Sequence, residues 1–84
     1  TARKVIVVDC DNTLWGGVCG EEGALNVSIA SPFAEFQQLL IAQKEKGKII
    51  CLCSKNSEND VWDVFSNNKN MVLQRDDVVA SRIN

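Results

Sequence analysis

At 84 residues, 45% hydrophobic and 24% charged with a net charge of −2, the chain can enclose one small core. Its nine Lys and Arg are scattered, with no basic stripe and no interleaved aromatics, which argues against nucleic acid as a partner. The longest apolar runs are of strand length, far short of the ~20 residues that a bilayer span requires, and no signal peptide is visible. The four cysteines, Cys10, Cys19, Cys51 and Cys53, lack CxxC spacing and have no His beside them, so reduced thiols in a cytoplasmic protein are expected.

The first element is Val5-Ile6-Val7-Val8, β-branched throughout and without polar alternation. Such a run predicts a central parallel strand buried on both faces. It ends in Asp9-Cys10-Asp11-Asn12-Thr13, two carboxylates on a short, stiff stretch. In open α/β sheets the ligand crevice lies beyond the carboxyl ends of the strands, which is where Asp9 and Asp11 would sit. From Leu14 to Gly23 the chain gathers four glycines and an acidic pair around isolated apolar residues, and this reads as a looped hairpin or flap.

Ser31-Pro32 then signals a helix, with Ser as N-cap and Pro at the first helical position. Phe33, Phe36, Leu39 and Leu40 form its apolar stripe, and Gly47 ends it after cations in the last turn. Lys48–Cys53 is the second strand, ending in Ser54-Lys55-Asn56. The two strands and the helix make one βαβ unit, whose right-handed crossover brings Ser54 and Asp9 to the same sheet edge on neighbouring strands. A short helix over Glu58–Ser66 follows, capped by Ser57 or Asn56, with Val61, Trp62 and Phe65 inward. Met71-Val72-Leu73 predicts a third strand, and Asp76–Arg82 the beginning of a helix with Asp76 and Asp77 in its first turn. Three strands make a thin sheet to bury on both faces, so residues 1–84 are expected to be the N-terminal part of a single, larger α/β domain.

The phrase Asp9-Cys10-Asp11-Asn12-Thr13-Leu14 after an apolar strand, followed by a flap and by Ser54 after the next strand, resembles the first two motifs of the haloacid dehalogenase (HAD) superfamily. The wider phrases, Asp11 to Val18, Gly20-Glu21-Glu22-Gly23, Ser54-Lys55-Asn56 and Ser81-Arg82-Ile83-Asn84, look like the FkbH-like family. The resemblance implies a HAD-like Rossmannoid parallel sheet with flanking helices. It also implies an Mg²⁺-dependent enzyme that dephosphorylates a phosphorylated three-carbon acyl donor and loads the glyceryl group onto an acyl carrier protein in polyketide biosynthesis.

In that reading Asp9 attacks phosphorus and carries an aspartyl-phosphate. Asp11 protonates the leaving oxygen and later takes a proton from water, and the crowding of two carboxylates is expected to raise one pKa. The Asp9 carboxylate and the Asp11 backbone carbonyl are implied metal ligands. Ser54 is expected to hold a phosphoryl oxygen, helped by N–H groups near Asn56 at the helix start, and Thr13 to fix the loop after the nucleophile on the phosphate-binding side. Lys55 is ordinary solvated surface by its own chemistry, while the resemblance implies a contact with substrate phosphate.

Cys10 divides the two approaches. A residue between alternating acids points away from them into the core, whereas the resemblance implies an acyl-accepting thiol. The Lys that steadies phosphate and the acid that completes the metal site are expected beyond Asn84, so this stretch alone is expected to be inactive. Competing readings are a plain small-molecule or phosphotyrosine-like phosphatase and a non-catalytic docking module in a synthase.

Overall fold

The computed structural model describes residues 4–84. Three parallel strands, β1 (Val5–Val8), β2 (Ile49–Ser54) and β3 (Val78–Ile83), form a sheet in the order β1-β2-β3. Helix α2 (Phe33–Glu45) connects the first pair and α3 (Glu58–Asn67) precedes the third strand, while a single turn of helix, α1 (Cys19–Glu22), lies in the loop after β1. The fold class is therefore α/β, as the pattern of apolar runs and helical signals predicts. Among the described residues no helix is long and apolar enough to cross a membrane.

Register explains the placement of the core. Val8 pairs with Leu52 and Ile6 with Ile50, so these side chains share one face of the sheet, and Leu40 of α2 and Val61, Val64 and Phe65 of α3 join them in one cluster. Because both crossovers advance in the same direction across the sheet, right-handed connections bring both helices to that one face. The opposite face stays bare: Val5 is 56% and Val7 63% exposed. Among the described residues β1 is thus covered on one face and paired on one flank, so the expected burial on both sides is not met within residues 4–84.

A second correction concerns the third strand. Met71-Val72-Leu73 is not a strand, because its backbone is claimed by a side chain instead of a neighbouring ladder. Gln37 of α2 is wholly buried, and its Oε1 accepts the N–H groups of Val72 and Leu73, both at 2.9 Å. Its Nε2 donates to the Leu14 carbonyl at 2.7 Å and to the Met71 sulfur at 3.4 Å. Asp76 and Asp77 fall in a 3₁₀ turn, Arg75–Asp77, where Asp77 closes a capping box with Gln74 and pairs with Lys44 at 2.8 Å. The chain then enters β3 where a helix was expected. Val78, Val79 and Ile83 are β-branched residues suited to a pleated surface.

The first long helix begins one residue later than its sequence signals. Pro32 occupies the cap position, and the Ser31 hydroxyl bonds Glu35 instead of a backbone N–H. Leu39 of the expected apolar stripe is exposed, while Gln37, outside that stripe, is buried together with Leu40. Replacing Gln37 by Leu should strand the Leu14 carbonyl and two N–H groups in the core. We expect a loss of about 3 kcal/mol, read as a lowered midpoint of urea unfolding; an unchanged midpoint would show that these groups find other partners.

Candidate active site

The strand ends set the site. β1 stops at Val8, and the next residues turn sharply: Thr13 and Leu14 both donate N–H to the Cys10 carbonyl, and Asn12 takes a left-handed φ of 58°. Asn tolerates that conformation better than most residues, and its Oδ1 accepts the Gly17 N–H at 2.8 Å. Gly17 has a φ of 101°, a backbone conformation that residues with a Cβ rarely adopt, so glycine is favoured there. The flap is a loop closed at its base by the reciprocal Gly16–Ser28 backbone bonds at 2.7 and 3.0 Å and carrying α1, not a two-stranded hairpin.

Asp9, Asp11, Ser54, Lys55 and Asn56 line one open cleft of about 520 Å³ at the carboxyl ends of β1 and β2. Because β1 and β2 pair directly and in parallel, the expected juxtaposition of Asp9 and Ser54 is realised. Asp9 is exposed, and one of its oxygens accepts the N–H of Cys10 at 2.7 Å. Asp11 is the most heavily bonded carboxylate: Oδ1 accepts Trp15 Nε1 and the Cys19 N–H, each at 3.0 Å, and Oδ2 accepts Asn56 Nδ2 at 2.7 Å. Partial burial pulls its pKa upward, but the bonds from Asn56, the Cys19 backbone and Trp15 outweigh burial and hold the carboxyl below its ordinary value. The expectation that crowding raises a pKa is not met at Asp11, which rests as an anion.

Two predicted site residues lie elsewhere. Cys10 has 0% exposure in the core, and burial, with smaller contributions from Asp9 and Asp11, pushes its thiol up to about 12. A buried, protonated thiol is a poor nucleophile, and the structure places Cys10 in the core between the two acids. Thr13 is also outside the cleft, beside Asn12, Pro32, Phe33 and Phe36 in a separate apolar hollow, because the turn after Asp11 carries it around the end of the strand. Conversely, Cys53, Arg82 and Asn84 line the cleft without having been singled out as site residues. Arg82 pairs in register with Cys53, and the Asn84 N–H reaches the Ser54 carbonyl at 3.0 Å. Recognising Val78–Ile83 as a strand would have placed Arg82 there. Among the described residues no group of three or more His, Cys, Asp and Glu side chains is assembled that could hold a metal ion.

The chain has a solved structural neighbour. The chain is similar to the crystal structure of the N-terminal part of the protein BF1531 from Bacteroides fragilis, which contains a phosphatase domain and is complexed with Mg, at a TM-score of 0.92 and 39% identity over 98% of this chain. The chain spans 23% of the length of that structure. No protein-family model and no curated protein matches it.

The bonds on Asp11 make a pH prediction. Its folded pKa lies below the unfolded one, so its contribution to stability is complete above the unfolded value of about 4 and is lost as pH falls through the lower folded value. Urea unfolding at a series of acidic pH values should show stability falling with acid in the wild type and falling less steeply in Asp11→Asn. Equal slopes would show that the three donors do not favour the ionised form.

Proposed function

We propose that this chain carries the nucleophile and the phosphate-facing strand ends of an Mg²⁺-dependent phosphatase of the HAD type. The observation that carries the reading is the exposed Asp9 carboxylate in the same cleft as Ser54, Lys55 and Asn56, with Asp11 fixed two residues on. The 39% identity to a structure containing a phosphatase domain supports it.

Asp9 is free to attack phosphorus through its exposed oxygen, forming an aspartyl-phosphate as the bond from phosphorus to the leaving oxygen breaks. Asp11 rests ionised, so the proton it hands to the leaving oxygen arrives with a singly protonated phosphate ester; in the second half it takes a proton from the water that attacks the aspartyl-phosphate. Lys55 and Arg82 offset the negative charge of the ester from two adjacent strand tips. Oxygen donors suit a hard cation, and the Asp9 carboxylate fits one because it is exposed and takes only a local N–H bond. The Asp11 side chain already accepts three protein donors, two on Oδ1 and one on Oδ2, which leaves one Oδ2 position for the proton it relays, so the donors left for the ion are the Asp9 carboxylate and the Asp11 backbone carbonyl. When bound, Mg²⁺ would supply charge neutralisation at the transferring phosphoryl group.

Within this class, the FkbH-like phrases around Asp11–Val18 and Ser54–Asn56 favour a phosphorylated three-carbon acyl donor, with an acyl carrier protein receiving the glyceryl group. With Cys10 buried, no Cys10 thioester forms. The carrier's phosphopantetheine thiolate would attack the carbonyl carbon of an acyl phosphate on the donor, the acyl C–O bond breaking with phosphate as the leaving group, while the Asp9 step acts on a phosphate ester elsewhere on the same donor.

Two measurements test the proposal in the intact protein. Asp9→Asn should abolish phosphate release with its circular dichroism unchanged, and chelation should stop the wild type until Mg²⁺ is restored; near-normal turnover by Asp9→Asn would falsify the nucleophile assignment. Incubation with carrier protein and a phosphoglyceryl donor should add the glyceryl mass to the carrier. Phosphate release without that mass gain would leave a plain phosphatase.

A further inference from the structure

The Asn56 side chain is engaged at both ends, with both Nδ2 donors and its Oδ1 bonded, and the order of its bonds is forced. A carboxylate only accepts, so the amide must present Nδ2 to Asp11, where it lies 2.7 Å from Oδ2; the same nitrogen reaches Cys19 Sγ at 3.7 Å. Its Oδ1 therefore faces Ser54, and an amide oxygen only accepts, so the Ser54 hydroxyl donates to it. The result is one directed chain, from Ser54 through Asn56 to Asp11, with each donor satisfying the next acceptor.

We propose that Asn56 is a positioning residue that turns the Ser54 proton away from the cleft while holding the Asp11 carboxylate in place. This deepens the phosphatase reading and rests on it, and it revises the expectation that Ser54 simply donates to phosphate. A hydroxyl has one proton, so with Asn56 engaged Ser54 meets an incoming anion through its oxygen. Phosphate is then held first by the cationic side chains at the strand tips, and Ser54 donates to it only when Asn56 lets go. The device trades affinity for ground-state phosphate against a fixed Asp11, which favours release of inorganic phosphate at the end of a turnover.

The test separates this role from mere structural support. In the intact protein, Asn56→Ala should lower kcat about 10- to 100-fold through the loosened Asp11, yet bind inorganic phosphate about tenfold tighter by calorimetry because Ser54 gains a free proton for the anion. In a Ser54→Ala background the gain in phosphate affinity should vanish while the loss in kcat persists. Weaker or equal phosphate binding by Asn56→Ala, or a gain that survives without Ser54, overturns the proposal. A readout needing neither turnover nor a folded Asn56 variant is the exchange of the Asn56 side-chain amide protons with solvent by NMR. It should be slow in the wild type and faster in Ser54→Ala; fast exchange in the wild type also overturns the proposal. Failure of the wild type to release phosphate from any ester would remove the phosphatase reading alone, leaving the directed chain to be decided by the amide exchange.

Discussion

The Asp11 carboxylate is the constraint on which the site depends. Three donors from three separate segments converge on it: the Trp15 indole from the flap base, the Cys19 N–H from the start of α1, and the Asn56 amide from beyond β2. Each segment is irregular by itself, and none has a neighbouring strand to fix it. Bonds to an ionised acceptor are roughly twice as strong as those between neutral groups, and here they are partly buried. The same contacts that hold the loop conformation therefore also fix the charge state and orientation of the acid beside the nucleophile.

The packing around this hub is arranged to support it. Trp15 has 0% exposure and meets the edge of Phe65 at 6.0 Å, and Phe65 meets Trp62 at 5.0 Å. The guanidinium of Arg75 sits 4.2 Å over the Trp62 ring, joining the turn before β3 to α3. Gln37 does comparable work on the other side, binding the Leu14 carbonyl to the segment that leads to β3. The flap is thus anchored to both long helices, one by aromatic contact and one by a buried amide.

Much of this was legible in the residues. Four consecutive β-branched residues before Asp9, the stop at Gly47 and the strand ending in Ser54 locate two strands, the helix between them and the cleft, because hydrophobic period and turn chemistry act locally. The third strand was not legible: Met71-Val72-Leu73 is as apolar as a strand, and only the distant Gln37 decides that its N–H groups leave the ladder. A polar residue in a helix reads as surface until its four partners are known. Arg82 was missed for the same reason, since its place in the cleft follows from a register that no local pattern reveals. Within the described residues the reverse face of β1 carries no helix, because two crossovers in one direction place both helices on the other face.

That uncovered face has a further meaning for handling the molecule. Among the described residues β1 is paired on one flank only, and its outward Val5 and Val7 present β-branched side chains beside a row of open amide and carbonyl groups. Such a margin is a template for strand addition, and Lys4 is the one charged residue among the four that lead from it to Val7. Produced in isolation, these residues are therefore poised to polymerise edge to edge unless another strand seals that seam.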